Sequence, residues 1–157
     1  MTSAGVIIER GDPRSAAATA LLKASHALME SLFPSESNHY LSIEALCVSE
    51  VRFFVALIDA DIRGCVALAD KVAYGEVKSM FVDPDARGQS VGAALIAAVE
   101  TEARALEMSE LKLETGYLLH DAHRLYERAG FASCGPFGEY PDDPNSRFMT
   151  KSLKDNG

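Results

Sequence analysis

Residues 75–115 leave few folds open to this chain. "GEVKSMFV" (75–82) alternates in the manner of a strand, with Glu76, Lys78, Met80 and Val82 on one face and Val77, Ser79 and Phe81 on the other. "DPDARGQS" (83–90) is a turn. From Ser90 to about Leu106, Val91, Ala94, Leu95, Ala98 and Val99 recur at helical spacing, and "LKLET" (111–115) is a second strand. A strand, a crossover helix and a further strand form a unit of α/β architecture.

The flanking segments extend the pattern. "GVIIER" (5–10) reads as a first strand, and Asp12 and Pro13 suit the N-cap and first position of a helix. That helix, to about Ser31, carries a stripe of Leu21, Leu22, Leu28, Met29 and Leu32. "FPSES" ends it, and a polar-aromatic connection follows, with a short helical turn at 42–47. "RFFVALI" (52–58) and "RGCVALA" (63–69) about "DADI" predict a hairpin. "HDAHRLYERAG" (120–130) predicts a helix with Asp121 as N-cap, Gly130 just past its end, and Ala122, Leu125, Tyr126 and Ala129 buried. A strand near "FASCG", a Pro/Gly-rich loop over 135–145 and a final strand "SRFMTKSL" complete the chain. The order β-α-β-β-β-α-β-α-β-β is mixed α/β, and without repeats or linkers residues 1–157 read as a single domain.

Charge and cysteine content narrow the function. A net charge of −8 with no basic stripe argues against nucleic acid or an anionic membrane as partner. The N-terminus shows no signal-peptide pattern, and no apolar run reaches the roughly 20 residues of a membrane span. Cys47, Cys65 and Cys134 are odd in number and widely spaced, as expected of a reducing, cytoplasmic setting. His120 and His123 have no obvious companion ligands, so no metal is expected.

The succession of strand, Arg-Gly turn, helix, strand and "AHRLYERAGF" resembles the GNAT superfamily of acetyl-CoA-dependent N-acetyltransferases over nearly the whole chain. The superfamily's cofactor signature, Arg/Gln-x-x-Gly-x-Gly/Ala, maps onto Arg87, Ser90 and Gly92, with serine at its first glycine. In the second signature, Leu119 stands where asparagine is frequent. "PSESNH", "GEVKSMFV", "LETG" and "PFGEYPDDPNSRFMTK" resemble a bacterial YsnE-like group in particular. The resemblance implies a GNAT fold, with a central, mostly antiparallel sheet of six to seven strands flanked by helices. It implies transfer of acetyl from acetyl-CoA, without a metal, to a small-molecule amine by direct attack in a ternary complex. The alternative is a non-catalytic acyl-CoA-binding sensor on the same scaffold. Dimers are common on this scaffold, so a homodimer is compatible with it.

The resemblance also distributes roles. Backbone amides of Arg87, Gly88, Gln89, Ser90, Val91, Gly92 and Ala93 would hold the CoA pyrophosphate, helped by the partial positive charge of a helix N-terminus and by room at the two glycines. Taken alone, the same stretch is an ordinary helix-capping turn. Met80, Phe81 and Val82 would offer backbone partners to the pantetheine arm, and an N–H there would polarise the thioester carbonyl. Tyr126 would protonate the departing thiolate, a role compatible with a place in the core. Glu76, 11 residues before Arg87, is the candidate general base, or else a strand carboxylate paired with Lys78 or Lys112. Glu36, Ser37 and His39 lie in the connection that shapes the acceptor pocket in this superfamily, with Tyr140 and Phe137 as the opposite wall or as part of an acidic surface loop.

Overall fold

The computed structural model describes residues 5–154; residues 1–4, part of the N-terminal stretch read for a leader, and 155–157 lie outside it. One seven-stranded sheet runs in the order β1-β2-β3-β4-β5-β7-β6. Its strands are β1 (Ile7–Arg10), β2 (Val51–Ile58), β3 (Asp61–Asp70), β4 (Gly75–Val82), β5 (Glu110–Gly116), β6 (Ala132–Cys134) and β7 (Ser146–Ser152). Every pairing is antiparallel except β4 with β5, which α2 (Val91–Ala105) connects. Among the described residues no helix is long and apolar enough to cross a membrane, and no group of three or more His, Cys, Asp or Glu side chains is placed to hold a metal ion.

Alternation along β2 and β3 divides the core between the two faces of the sheet. Phe53, Val55, Cys65 and Ala67 face α1 (Ala16–Leu32), packing with Ala18 and Leu22. Phe54, Ala56, Val66 and Leu68 face the opposite side, packing with Leu95 and Val99 of α2 and Tyr126 of α3 (His120–Arg128). The β2–β3 hairpin turns at Asp59 and Ala60, both at positive φ (51° and 69°), the backbone of a two-residue turn that matches strand twist.

Two expected helix starts move. α1 begins after Ser15, whose side chain accepts from the Ala18 N–H at 3.4 Å. Asp12 closes the preceding turn instead, its carboxylate accepting from the Arg14 N–H at 2.9 Å. In α3 the N-cap position falls to Leu119, without a side-chain cap, and Asp121 sits in the first turn. Gly130 does end α3, at φ +100°. The stripe on α1 splits in use: Leu21 and Leu22 are buried, whereas Leu28, Met29 and Leu32 line a cleft beyond the sheet.

Candidate functional site

The site arises from a fault in β4. Ser79 has φ +56°, and the β3 register slips between Cys65 and Ala67. This is a β-bulge, which inserts one extra residue and reverses the facing of everything after it. The expected common face of Glu76, Lys78, Met80 and Val82 is therefore broken. Met80 and Val82 pack with Val77 on the α2 side, and Phe81 packs on the α1 side. The Cys65 thiol, its pKa pushed up to about 12 by burial, donates to the Ser79 carbonyl at 3.3 Å beneath the bulge.

The bulge also parts the parallel strands. β4 pairs with β5 only through Gly75–Val77 and Leu111–Leu113; beyond them Glu114–Gly116 pair with β7 alone. A crevice thus opens at the carboxyl ends of two parallel strands, the usual position of ligand sites in α/β sheets. A cleft of about 960 Å³ lies on one side of it and a pocket of about 110 Å³ on the other. Met29, Met80, Leu119 and Ala122 line both, so the two spaces meet there.

Met80, Phe81, Val82, Arg87, Gly88, Ser90, Val91, Gly92 and Ala93 all line the larger cleft, whereas the exposed Gln89 does not. No side chain caps the N-terminus of α2, whose first-turn N–H groups are left for a ligand. Gly88 stands at φ +83° with nothing within 4 Å of a notional Cβ. Gly92 lines the cleft and serves a second end besides, because a Cβ there would come 2.8 Å from Leu125 Cδ2. Its bare backbone lets α3 close on α2. The Arg87 guanidinium is exposed, 3.6 Å from the Asp121 carboxylate at the start of α3.

Ser90 has φ +64°, which explains why the resembling signature carries glycine at this point. Left-handed backbone costs a residue with a side chain about 1–2 kcal/mol. The greater freedom of glycine in the unfolded chain offsets about 0.4–1 kcal/mol of that. Ser90→Gly is therefore expected to raise Tm by about 2 °C in thermal denaturation. A fall in Tm would mean that the hydroxyl makes a stabilising contact.

Tyr126, Ser37, His39, Lys78, Ser79, Glu114 and Thr115 line the smaller pocket. Tyr126 is 5% exposed, and among the described residues nothing hydrogen-bonds its hydroxyl. Burial drives its pKa upward, with the nearby Glu114 charge adding to the shift, so the phenol holds its proton. Glu114, at the end of β5, accepts from the Ser146 hydroxyl at 2.7 Å. Desolvation raises the Glu114 pKa against the opposing pulls of Ser146 and Lys78. The Ser37 hydroxyl donates to Asp143 at 2.5 Å and accepts from Asn145 at 3.3 Å, tying the 33–40 connection to the 135–145 loop.

Glu76 is placed differently from the expected acceptor-facing base. It is 3% exposed, lines neither space, accepts a short hydrogen bond from the Tyr140 hydroxyl, and lies 3.6 Å from Lys78 Nζ. Tyr140 sits behind the pocket wall, edge-on to His39 and to Phe137. Glu36 is exposed and apart from both spaces, its carboxylate 3.4 Å from the Ser35 hydroxyl. Glu114, Lys78 and Ser79 went unmarked as site residues in the sequence. For Glu114 the available signal was its place at the carboxyl end of a strand parallel to its neighbour.

Comparison with known proteins gives this geometry a context. An "IAA acetyltransferase" of Azospirillum brasilense is 43% identical over 150 residues, covering 94% of this chain and 98% of the relative. The uncharacterized N-acetyltransferase YsnE of Bacillus subtilis is 37% identical over 128 residues, covering 80% and 85%. A solved Klebsiella pneumoniae protein, assigned as an acyl-CoA N-acyltransferase, superposes with a TM-score of 0.80 at 33% identity, covering 95% and 98%. Residues 19–131 match the acetyltransferase (GNAT) family. With a mixed, mostly antiparallel seven-stranded sheet split at β4 and β5, this chain belongs to that family and is a YsnE-like N-acetyltransferase.

Proposed function

We propose that the protein transfers an acetyl group from acetyl-CoA to a small-molecule amine within a ternary complex. The carrying observation is continuity. One path leads from the uncapped N-terminus of α2, along the part of β4 that has left β5, to a pocket holding both a carboxylate and an unpartnered phenol.

The chemistry follows from those groups. First-turn amides of α2, with Gly88 leaving space, hold the CoA pyrophosphate. Backbone groups on the freed edge of β4 pair with the pantetheine amides much as a strand would. Acetyl-CoA supplies an activated acyl carbon. Glu114, rather than the occupied Glu76, accepts a proton from the acceptor's ammonium, and the freed amine attacks the thioester carbonyl. As the C–S bond breaks, Tyr126 donates its proton to the departing thiolate and regains one from the attacking nitrogen, leaving amide and free thiol as products.

Calorimetric titration with acetyl-CoA tests the donor half, with ATP and NAD as controls. The expected result is one acetyl-CoA per chain and no heat from the controls. Absence of acetyl-CoA binding would overturn the reading.

A further inference from the structure

Two polar atoms in the small pocket lack partners, and a lysine ammonium stands beside them. Among the described residues, His39 Nε2 and Ser79 Oγ are buried without a hydrogen bond. Lys78 Nζ donates to the His39 carbonyl at 2.9 Å and to the Tyr140 hydroxyl at 2.7 Å. Its third hydrogen faces the Glu76 carboxylate, an ion pair at 3.6 Å that is longer than a good hydrogen bond. Buried polar groups are ordinarily satisfied, so a pair of unsatisfied ones needs an explanation. All three residues line the same pocket.

Packing explains neither unpartnered atom. Ser79 is held in left-handed backbone by the bulge, where glycine would relax the chain. The Lys78 side chain is only 10% exposed, and burial lowers its pKa against the pull of Glu76 and Glu114. Tyr140 and the His39 carbonyl hold two of its hydrogens, which fixes the ammonium in place. A carboxylate, with two oxygens and about four lone-pair sites, can accept from an ammonium, a hydroxyl and an imidazole N–H together. At 110 Å³ the pocket admits about four groups the size of a water molecule.

We propose that Lys78, Ser79 and His39 form a subsite for an acceptor carboxylate, making small α-amino acids the preferred acceptors. The proposal rests on the acetyl-transfer reading above and adds the acceptor class. The carboxylate docks on the three residues, and the α-amine, one carbon away, is left to Glu114 and the thioester.

The test is CoA-thiol release with matched acceptors. Glycine, L-alanine and L-serine are compared with their primary amides and with methylamine, ethylamine and ethanolamine. The amides carry the less basic amines and would be favoured on basicity alone. The acids are expected to exceed both sets in kcat/KM by roughly 10–100-fold, as befits charge-assisted hydrogen bonds. Lys78→Met and Ser79→Ala are each expected to reduce that ratio mainly through KM, with calorimetric acetyl-CoA affinity unchanged. Lys78→Met leaves Glu76 buried without its cation and can unfold the chain, in which case Ser79→Ala decides. Acids no better than amides, or a ratio unmoved in the folded variants, would overturn the subsite. Binding of acetyl-CoA without turnover of any acceptor would overturn it too, with the donor half standing. Loss of acetyl-CoA binding in the unmodified protein would instead overturn the underlying function.

Discussion

Glu114→Gln is expected to lower kcat by about 10²- to 10³-fold while acetyl-CoA binding is retained, the scale of a lost general base. Glutamine keeps the shape of the side chain and an oxygen for the Ser146 hydroxyl, so local structure should survive. The pH profile supplies an independent readout. Burial raises the Glu114 pKa, so the carboxyl is protonated and idle below that pKa and active above it. In the wild type kcat/KM should therefore fall as pH drops through a value above the ordinary carboxylate range. Glu114→Gln should lose that acid limb. Glu76→Gln is the contrast, because it disturbs a buried carboxylate whose partners are Tyr140 and Lys78, and its effect should appear in Tm. A folded Glu76→Gln with the large kcat loss, beside an active Glu114→Gln, would reverse the two assignments.

Tyr126→Phe should lower kcat by about 10²-fold and leave Tm equal or slightly higher. The ring stays packed against Phe131 within the core, and only the oxygen is removed. Among the described residues that hydroxyl has no hydrogen-bond partner and it belongs to the pocket lining, so its loss carries little folding penalty. A purely structural tyrosine would show little change in rate. The predicted pairing of lost turnover with unchanged stability separates the two roles, read by thiol release and thermal denaturation on the same sample. A kcat within twofold of wild type would remove Tyr126 from the proton path.

Legibility from the sequence depended on the range of the interactions. Strands, helices and the hairpin were readable because periodicity and turn chemistry act over a few residues; Val91, Leu95 and Val99 are buried where their spacing puts them. The α2 turn was equally local, down to the serine whose left-handed backbone accounts for the missing glycine. Capping was less secure, since Asp12 and Ser15 are both competent caps and only packing of α1 selects the second.

Strand alternation, by itself, established two faces for β4, and motif order established the fold and the place of the turn before α2. What alternation cannot register is one inserted residue. The bulge at Ser79 turns Met80 and Val82 away from the face of Glu76 and Lys78, and it breaks β4 from β5 after Val77. Pairing with β3 and the fit of two core faces decide that slip, and both depend on residues distant in the chain. The same long-range packing buries Glu76 under Tyr140, 64 positions away, and brings Glu114 to the pocket instead. Residue type and spacing determined which ionisable groups this protein has; only the tertiary structure decided which of two carboxylates faces the pocket, because exposure to it depends on the partners and water that folding removes.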